Sequence, residues 1–221
     1  GDGNDVIIGG LETDTIHSEQ GDDVVLGDNG HATFNENGQL VDISTLSPTL
    51  GASDNIYTHQ GSDVALGGFG TDTIYTYDTD NPSPADEIGS DKVVGDNGHV
   101  TFEDDGSIST FTTTDPGTGA QDFIYTGNGS DIIAGGDGDD TIYARVRTES
   151  TDDNTDNGRD IILGDNGKAI FDTDGTLRNF TSIDYDHNTA TDNSTVFTDT
   201  IYSGDGNDVI IGGLETDTIH S

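Results

Sequence analysis

The 221-residue chain contains no cysteine, no methionine and no tryptophan, and sets only six lysines and arginines against 44 aspartates and glutamates. Without cysteine there can be no disulfide and no thiolate chemistry. The formal net charge of -38 leaves almost no cationic side chain to meet a phosphate, which argues against nucleic acid and against anionic membrane surfaces. No apolar run approaches the roughly 18 residues of a membrane span, so membrane insertion is not expected. No secretory leader is recognisable, and the absence of methionine leads us to expect an excerpt of a longer chain. Hydrophobic residues make up 29% and glycines number 32, too little apolar material for a thick core and about twice the usual glycine. A thin core repeated along an axis needs less. Two readings of the acidity remain: a disordered polyanion, or a chain whose carboxylates are matched by bound cations.

Repetition decides between them. The opening GDGNDVIIGGLETDTIHS, Gly1 to Ser18, returns unchanged as Gly204 to Ser221, as expected of one long repeat and the start of the next. Inside it GDNG recurs at Gly27, Gly95 and Gly164, each time followed by a phenylalanine (Phe34, Phe102, Phe171). This period of about 68 residues predicts three divergent copies of one unit, each expected to hold three coils and to rise about 14 Å. The boundaries fall near 1–50 (continued by 198–221), 51–120 and 121–197 within one continuous solenoid. The smallest period is nine. Ser203 to Ile211 and Gly135 to Tyr143 fit G-G-x-G-x-D-x-U-x, where U is large and apolar, and Ser18 to Leu26, Thr58 to Leu66, Gly67 to Tyr75 and Thr126 to Ala134 fit with small departures.

This pattern resembles the RTX family of calcium-binding nonapeptides, known from giant secreted bacterial repeat proteins and adhesins. The resemblance implies an all-β fold, a parallel β-roll or β-helix solenoid, with several bound Ca2+ ions and a secreted or cell-surface location. The residues give the same reading a physical basis. Glycines in the first half of each nonapeptide permit positive φ and let carbonyl oxygens converge. The last three residues form a short strand whose eighth place points inward. Ile7, Ile16, Val25, Ile56, Ile74, Val93, Ile124, Ile133, Ile142, Ile162, Ile201, Ile210 and Ile219 occupy that place, with Ala65 a small exception.

The sixth place is aspartate: Asp5, Asp14, Asp23, Asp54, Asp63, Asp72, Asp91, Asp122, Asp131, Asp140, Asp160, Asp199, Asp208 and Asp217. Stacking coils about 4.8 Å apart aligns these carboxylates in rows that repel one another unless a cation lies between them. Calcium, which takes six to eight oxygens, suits carboxylates and turn carbonyls together, and these fourteen are the expected metal ligands. Asx-turns alone would not demand aspartate at one place beside an inward isoleucine. The turns Gly9 to Asp14 and Gly212 to Asp217 carry Glu12 and Glu215 where glycine is expected.

GDNG reads as a degenerate nonapeptide, with Gly30, Gly98 and Gly167 in the fourth place and Ala32, Val100 and Ala169 replacing the aspartate. Beyond each phenylalanine lies Asn37-Gly38, Asp105-Gly106 or Asp174-Gly175, then Leu40, Ile108 or Leu177. That pattern predicts a β-hairpin projecting from or capping each unit. A phosphate role is unsupported, since no Gly-Lys-Ser/Thr follows. Insertions at Tyr77 to Ser90, Arg145 to Asn157 and Asn179 to Thr198 read as solvated loops, the second with a partial calcium-loop pattern at Asp152, Asn154 and Asp156.

Tyr57, Tyr75, Tyr125, Tyr143 and Tyr202, in the ninth place, are expected to face outward as a ladder covered by the hairpins and insertions. His17, His31, His59, His99, His187 and His220 share no metal-ligand spacing and read as surface residues. No carboxylate pair stands apart as a catalytic one would, so no enzyme is expected. The function read from the sequence is a calcium-stabilised stalk or filament segment of a giant tandem-repeat extracellular protein, with head-to-tail or lateral self-association. The alternative is a polysaccharide-binding or enzyme-accessory module; ice binding is weaker, because the seventh places form no regular row.

Overall fold

A computed structural model describes residues 1–78, 89–146, 156, 158–183, 197–214 and 216–221. The acidic stretches 79–88 and 184–196, Asp152 and Asn154, and Glu215 lie outside the described residues. The described chain contains twenty strands and no helix. Fourteen of the strands are three residues long and come from the closing half of a nonapeptide. Seven form one parallel sheet: β1 (Val6–Ile8), β3 (Val24–Leu26), β7 (Val64–Leu66), β9 (Lys92–Val94), β13 (Ile132–Ala134), β15 (Ile161–Leu163) and β19 (Val209–Ile211). The other seven form a second: β2 (Thr15–His17), β6 (Asn55–Tyr57), β8 (Thr73–Tyr75), β12 (Phe123–Tyr125), β14 (Thr141–Tyr143), β18 (Thr200–Tyr202) and β20 (Thr218–His220).

The chain alternates between the two sheets, one coil contributing a strand to each, and every pairing is in nonapeptide register, as in Ile133↔Ile162 and Ile142↔Ile201. The eighth places interdigitate between the sheets. Val25, Ile56, Ala65, Ile74, Val93, Ile124, Ile133, Ile142, Ile162 and Ile201 are fully buried in one continuous core. β-branched side chains suit so thin a layer, because they fill a pleated surface with little rotamer freedom to lose. Toward the ends Ile7 and Ile210 are only partly buried and Ile219 stays 44% exposed.

Each GDNG follows every second strand of the first sheet (β3, β9, β15), so the 68-residue unit holds two coils rather than the three expected. The hairpins cap the side of the roll, one of the two placements expected, but they do so jointly rather than unit by unit. β4 (Gly30–Phe34) with β5 (Leu40–Thr45), β10 (Gly98–Phe102) with β11 (Ile108–Thr113), and β16 (Gly167–Phe171) with β17 (Leu177–Ser182) do not project separately. They pair with one another into a single six-stranded antiparallel sheet, ordered β17-β16-β11-β10-β5-β4. Spacing explains this. Two coils advance about 9.6 Å and the two strands of a hairpin occupy the same width, so hairpins leaving every second coil tile without a gap. One cross-strand row runs Ile43, Val100, Phe111, Ala169 through the sheet, all fully buried against Leu26, Leu66, Val94, Ala134 and Leu163 of the first parallel sheet. The third insertion starts later than Asn179, since β17 runs to Ser182.

Ala32, Val100 and Ala169 therefore do not stand in for turn aspartates; they line the inner face of the hairpin sheet or its edge strand. Each GDNG opens a nonapeptide that resumes after the hairpin, at Gly51 and Gly119 in the first two units, and reaches its sixth-place aspartate at Asp54, Asp122 or Asp199. Its last glycine opens a hairpin strand instead of closing a turn. A Cβ at Gly30 would sit 2.5 Å from the Ser44 carbonyl oxygen and one at Gly167 2.8 Å from that of Thr181, so glycine opens these hairpin strands because partner backbone lies where a side chain would begin. The hairpin turns match the sequence reading, with Gly38, Gly106 and Gly175 all at positive φ.

The ninth-place tyrosines form a ladder on the outer face of the second sheet. His17, Tyr57, Tyr75, Tyr125, Tyr143, Tyr202 and His220 stack in succession, with centroids 4.4 to 5.4 Å apart and planes within 10°. The hairpins lie on the opposite sheet and so do not cover the ladder, whose tyrosines are nonetheless half-buried, with Tyr125 buried. Tyr77 and Val146, at the heads of two insertions, pack on its middle around Tyr125.

Candidate metal centre

Strand pairing carries every sixth-place aspartate into one of two rows. Asp5, Asp23, Asp63, Asp91, Asp131, Asp160 and Asp208 precede the strands of the first sheet. At each step the backbone N–H of one donates to Oδ1 of the next, at 2.8 to 3.1 Å. Asp14, Asp54, Asp72, Asp122, Asp140, Asp199 and Asp217 form the second row in the same way, at 2.7 to 3.1 Å. The fourteen aspartates named from the sequence are thus two columns in hydrogen-bonded register. The ten that precede neither end coil are buried, while Asp5, Asp14, Asp208 and Asp217 are half-buried.

With Oδ1 engaged, Oδ2 decides what the rows can hold. In the second row Oδ2 of Asp54, Asp72, Asp122, Asp140 and Asp199 is buried with no hydrogen-bond donor among the described residues. Each lies beside a first-place glycine and the carbonyl of a neighbouring coil. A Cβ on Gly135 would sit 2.1 Å from Asp140 Oδ2 and 2.3 Å from the Gly164 oxygen, and one on Gly164 would sit 2.2 Å from both Asp199 Oδ2 and the Gly212 oxygen. Glycine is required there because the carboxylate and carbonyl oxygens converge on it. The first row is mixed: Thr58, Thr76 and Thr126 donate Oγ1–H to Oδ2 of Asp63, Asp91 and Asp131 at 2.5 to 2.6 Å, while Oδ2 of Asp23 and Asp160 is buried without a donor among the described residues.

Burial holds nine of these carboxyls above their ordinary range. Asp54 is pushed up to about 6, Asp63 and Asp131 to about 7, and Asp72 and Asp199 to about 8, in each case chiefly by desolvation. Asp160 is pushed to about 10 by desolvation and then by Asp131. Asp91, Asp122 and Asp140 are raised well beyond the carboxylate range, again by desolvation first. The charge of Asp131 adds to it for Asp91, that of Asp96 for Asp122, and that of Asp199 for Asp140. A row of buried like charges with spare oxygens turned to backbone carbonyls is an all-oxygen donor set. It fits a hard divalent ion of calcium's size, and it offers neither nitrogen nor sulfur.

Four aspartates escaped the sequence reading. Asp28 and Asp96, the aspartates of the first two GDNG segments, are buried and staple the interrupted turn. Asp28 accepts the N–H of Ala52 at 3.2 Å and of Phe69 at 2.6 Å; Asp96 accepts those of Ala120 at 3.1 Å and Asp137 at 2.6 Å. Asp165 accepts from Leu214 at 2.6 Å, and Asp137 accepts from Gly117 and Thr118. For Asp28, Asp96 and Asp165 the only signal was the recurrence of Asp within GDNG in the three copies; Asp137, in the turn that follows Gly135, carried none.

The sequence profile of the RTX calcium-binding nonapeptide repeat matches in four copies, at residues 1–34, 50–80, 116–145 and 195–221, together more than half of the chain. The gaps between the copies hold most of each hairpin and the insertions. They also hold β9 and β15, whose Asp91 and Asp160 nonetheless keep the row register. No curated protein and no solved structure matches the chain. With two parallel sheets in nonapeptide register and four matched copies, the chain belongs to the RTX calcium-binding nonapeptide repeat family, whose repeats bind several calcium ions and act structurally rather than catalytically.

Proposed function

We propose that this chain is a calcium-stabilised segment of a stalk or filament in a secreted or cell-surface protein. Its ions are held by the fourteen row aspartates together with turn carbonyls. The observation that carries the reading is the placement of the identical segments. Gly1 to Ser18 supplies β1 and β2, and Gly204 to Ser221 supplies β19 and β20, the opposite ends of both parallel sheets. A sequence that reproduces its first coil after six coils is a unit that can be added indefinitely along one axis.

The carbohydrate-binding alternative lacks such support, because the ring faces of the tyrosine ladder are stacked on each other and present edges outward. In a chain carrying several copies of residues 1–203, each copy should add about 29 Å of rod in calcium, from six coil spacings. Negative-stain microscopy measures this directly. Particles whose length does not grow with copy number would exclude the stalk.

A further inference from the structure

Beyond the calcium rows, we propose that His17, Glu19 and His59 form a separate site for a borderline transition-metal ion such as Zn2+. Forty-two residues separate the two histidines in sequence, so spacing gave no hint of a site. The coil places them one strand apart, because β2 pairs with β6. The stack on Tyr57, with centroids 4.6 Å apart and planes 6° from parallel, fixes the plane of the His17 ring. In that orientation Nδ1 of His17 lies 3.4 Å from Nε2 of His59. Two imidazole nitrogens bound to one tetrahedral zinc at 2.0–2.1 Å stand about 3.3 Å apart, so the pair is already at ligand separation. A ligand atom from each of His17, Glu19 and His59 lies within 4.8 Å of the other two. Glu19 is exposed, and rotation of its free side chain closes the remaining distance.

The backbone of these turns singles out the same residues. Glu19 and His59 hold the second place of their nonapeptides at φ of 78° and 67°, where the corresponding turns use Gly127 and Gly204, both at 82°. Side-chain-bearing residues have therefore replaced glycine in the left-handed region, at a conformational cost. Both replacements are metal-ligand types, and both are directed to one histidine. Two imidazoles and one carboxylate with an open position suit Zn2+, Ni2+ or Co2+, whereas calcium does not favour nitrogen. The other histidine pair is built differently. Asp42 sits between His31 and His99, at 3.0 and 2.7 Å, and occupies both rings.

Titration of the calcium-saturated chain with Zn2+ by calorimetry, and with Co2+ by visible absorption, tests the site. One tightly bound ion per chain is expected. It should be lost in His17→Ala and retained in the double variant His31→Ala, His99→Ala. Glu19→Gly and His59→Gly restore the residue that the other turns use, so their calcium-bound fold should be intact by circular dichroism while zinc affinity falls away. Absence of saturable binding, or full affinity in His17→Ala and His59→Gly, would overturn the proposal.

Discussion

At Asp140 the two carboxylate oxygens have different fates: Oδ1 accepts the N–H of Asp122 at 2.8 Å, while Oδ2 is buried with no donor among the described residues. Replacing Asp140 by Asn keeps an acceptor for that N–H and removes the buried acidic group, which metal-free folding must otherwise protonate. The metal-free fold should gain roughly 1–3 kcal/mol, the cost of an uncompensated buried polar group, while the calcium-bound fold loses stability and ions. Denaturant unfolding in chelator and in calcium checks the change of sign; Asp104→Ala, at an exposed hairpin turn, should be neutral in both. The same groups set the pH dependence. Because Asp54, Asp63, Asp72 and Asp199 titrate near 6 to 8 when folded and near 3.8 when unfolded, the metal-free folded state binds more protons between those limits. Its stability is therefore greatest below about 4 and is lost as pH rises through about 6 to 8. In chelator, β-structure measured by circular dichroism should increase from pH 8 to pH 5, and calcium affinity should decrease over the same interval as protons compete for the oxygens. A metal-free stability that rises with pH would contradict this account. The row aspartates were legible because their place beside an inward isoleucine repeats. The donors Thr58, Thr76 and Thr126 were not, since the first place of a nonapeptide is more often read as glycine and nothing local shows where a hydroxyl will point.

The hairpins were legible as elements, each marked by an Asn-Gly or Asp-Gly turn between apolar runs. Their joining into one sheet was hidden, because it depends on the match between two coil spacings and the width of a hairpin, a property of the assembled solenoid. Counting three coils per unit concealed that match. The middle hairpin should be the most sensitive, since β10 and β11 each pair on both sides. Phe111 is fully buried in the row that faces the parallel sheet. Phe111→Ala should cost about 3–5 kcal/mol in calcium, as for other buried phenylalanines. Gly167→Val should be destabilising for the opposite reason, since its Cβ alone would lie 2.6 Å from Leu163. Thermal unfolding of both, beside the surface change Ile170→Thr as a neutral control, measures the contribution of the third layer. Equal melting temperatures throughout would mean that the hairpin sheet is an ornament on a roll that is stable without it.

Along the whole molecule the two aspartate rows are polar in the sense of direction. Every step donates an N–H from one coil to Oδ1 of the next, so Asp5 and Asp14 present Oδ1 at one end while Asp208 and Asp217 present N–H at the other. The end coils also leave Val6, Ile8 and Ile219 more than 40% exposed, although their counterparts inside the roll are buried or nearly so. The two ends are complementary to each other and not to themselves, which is the geometry of a heterologous contact that extends without closing. A net charge of -38 opposes such contact until calcium occupies the rows. Chains should therefore lengthen end to end with rising concentration in calcium and remain single in chelator, as sedimentation velocity would reveal. The double variant Asp5→Ala, Asp14→Ala removes the acceptors from one end only. Both residues lie half-buried in the terminal coil, so calcium at that end is lost while the interior coils should keep their ions and fold, and lengthening stops. Single-chain sedimentation at every concentration in calcium, or lengthening unchanged by the double variant, would show that the rows end without recognising each other.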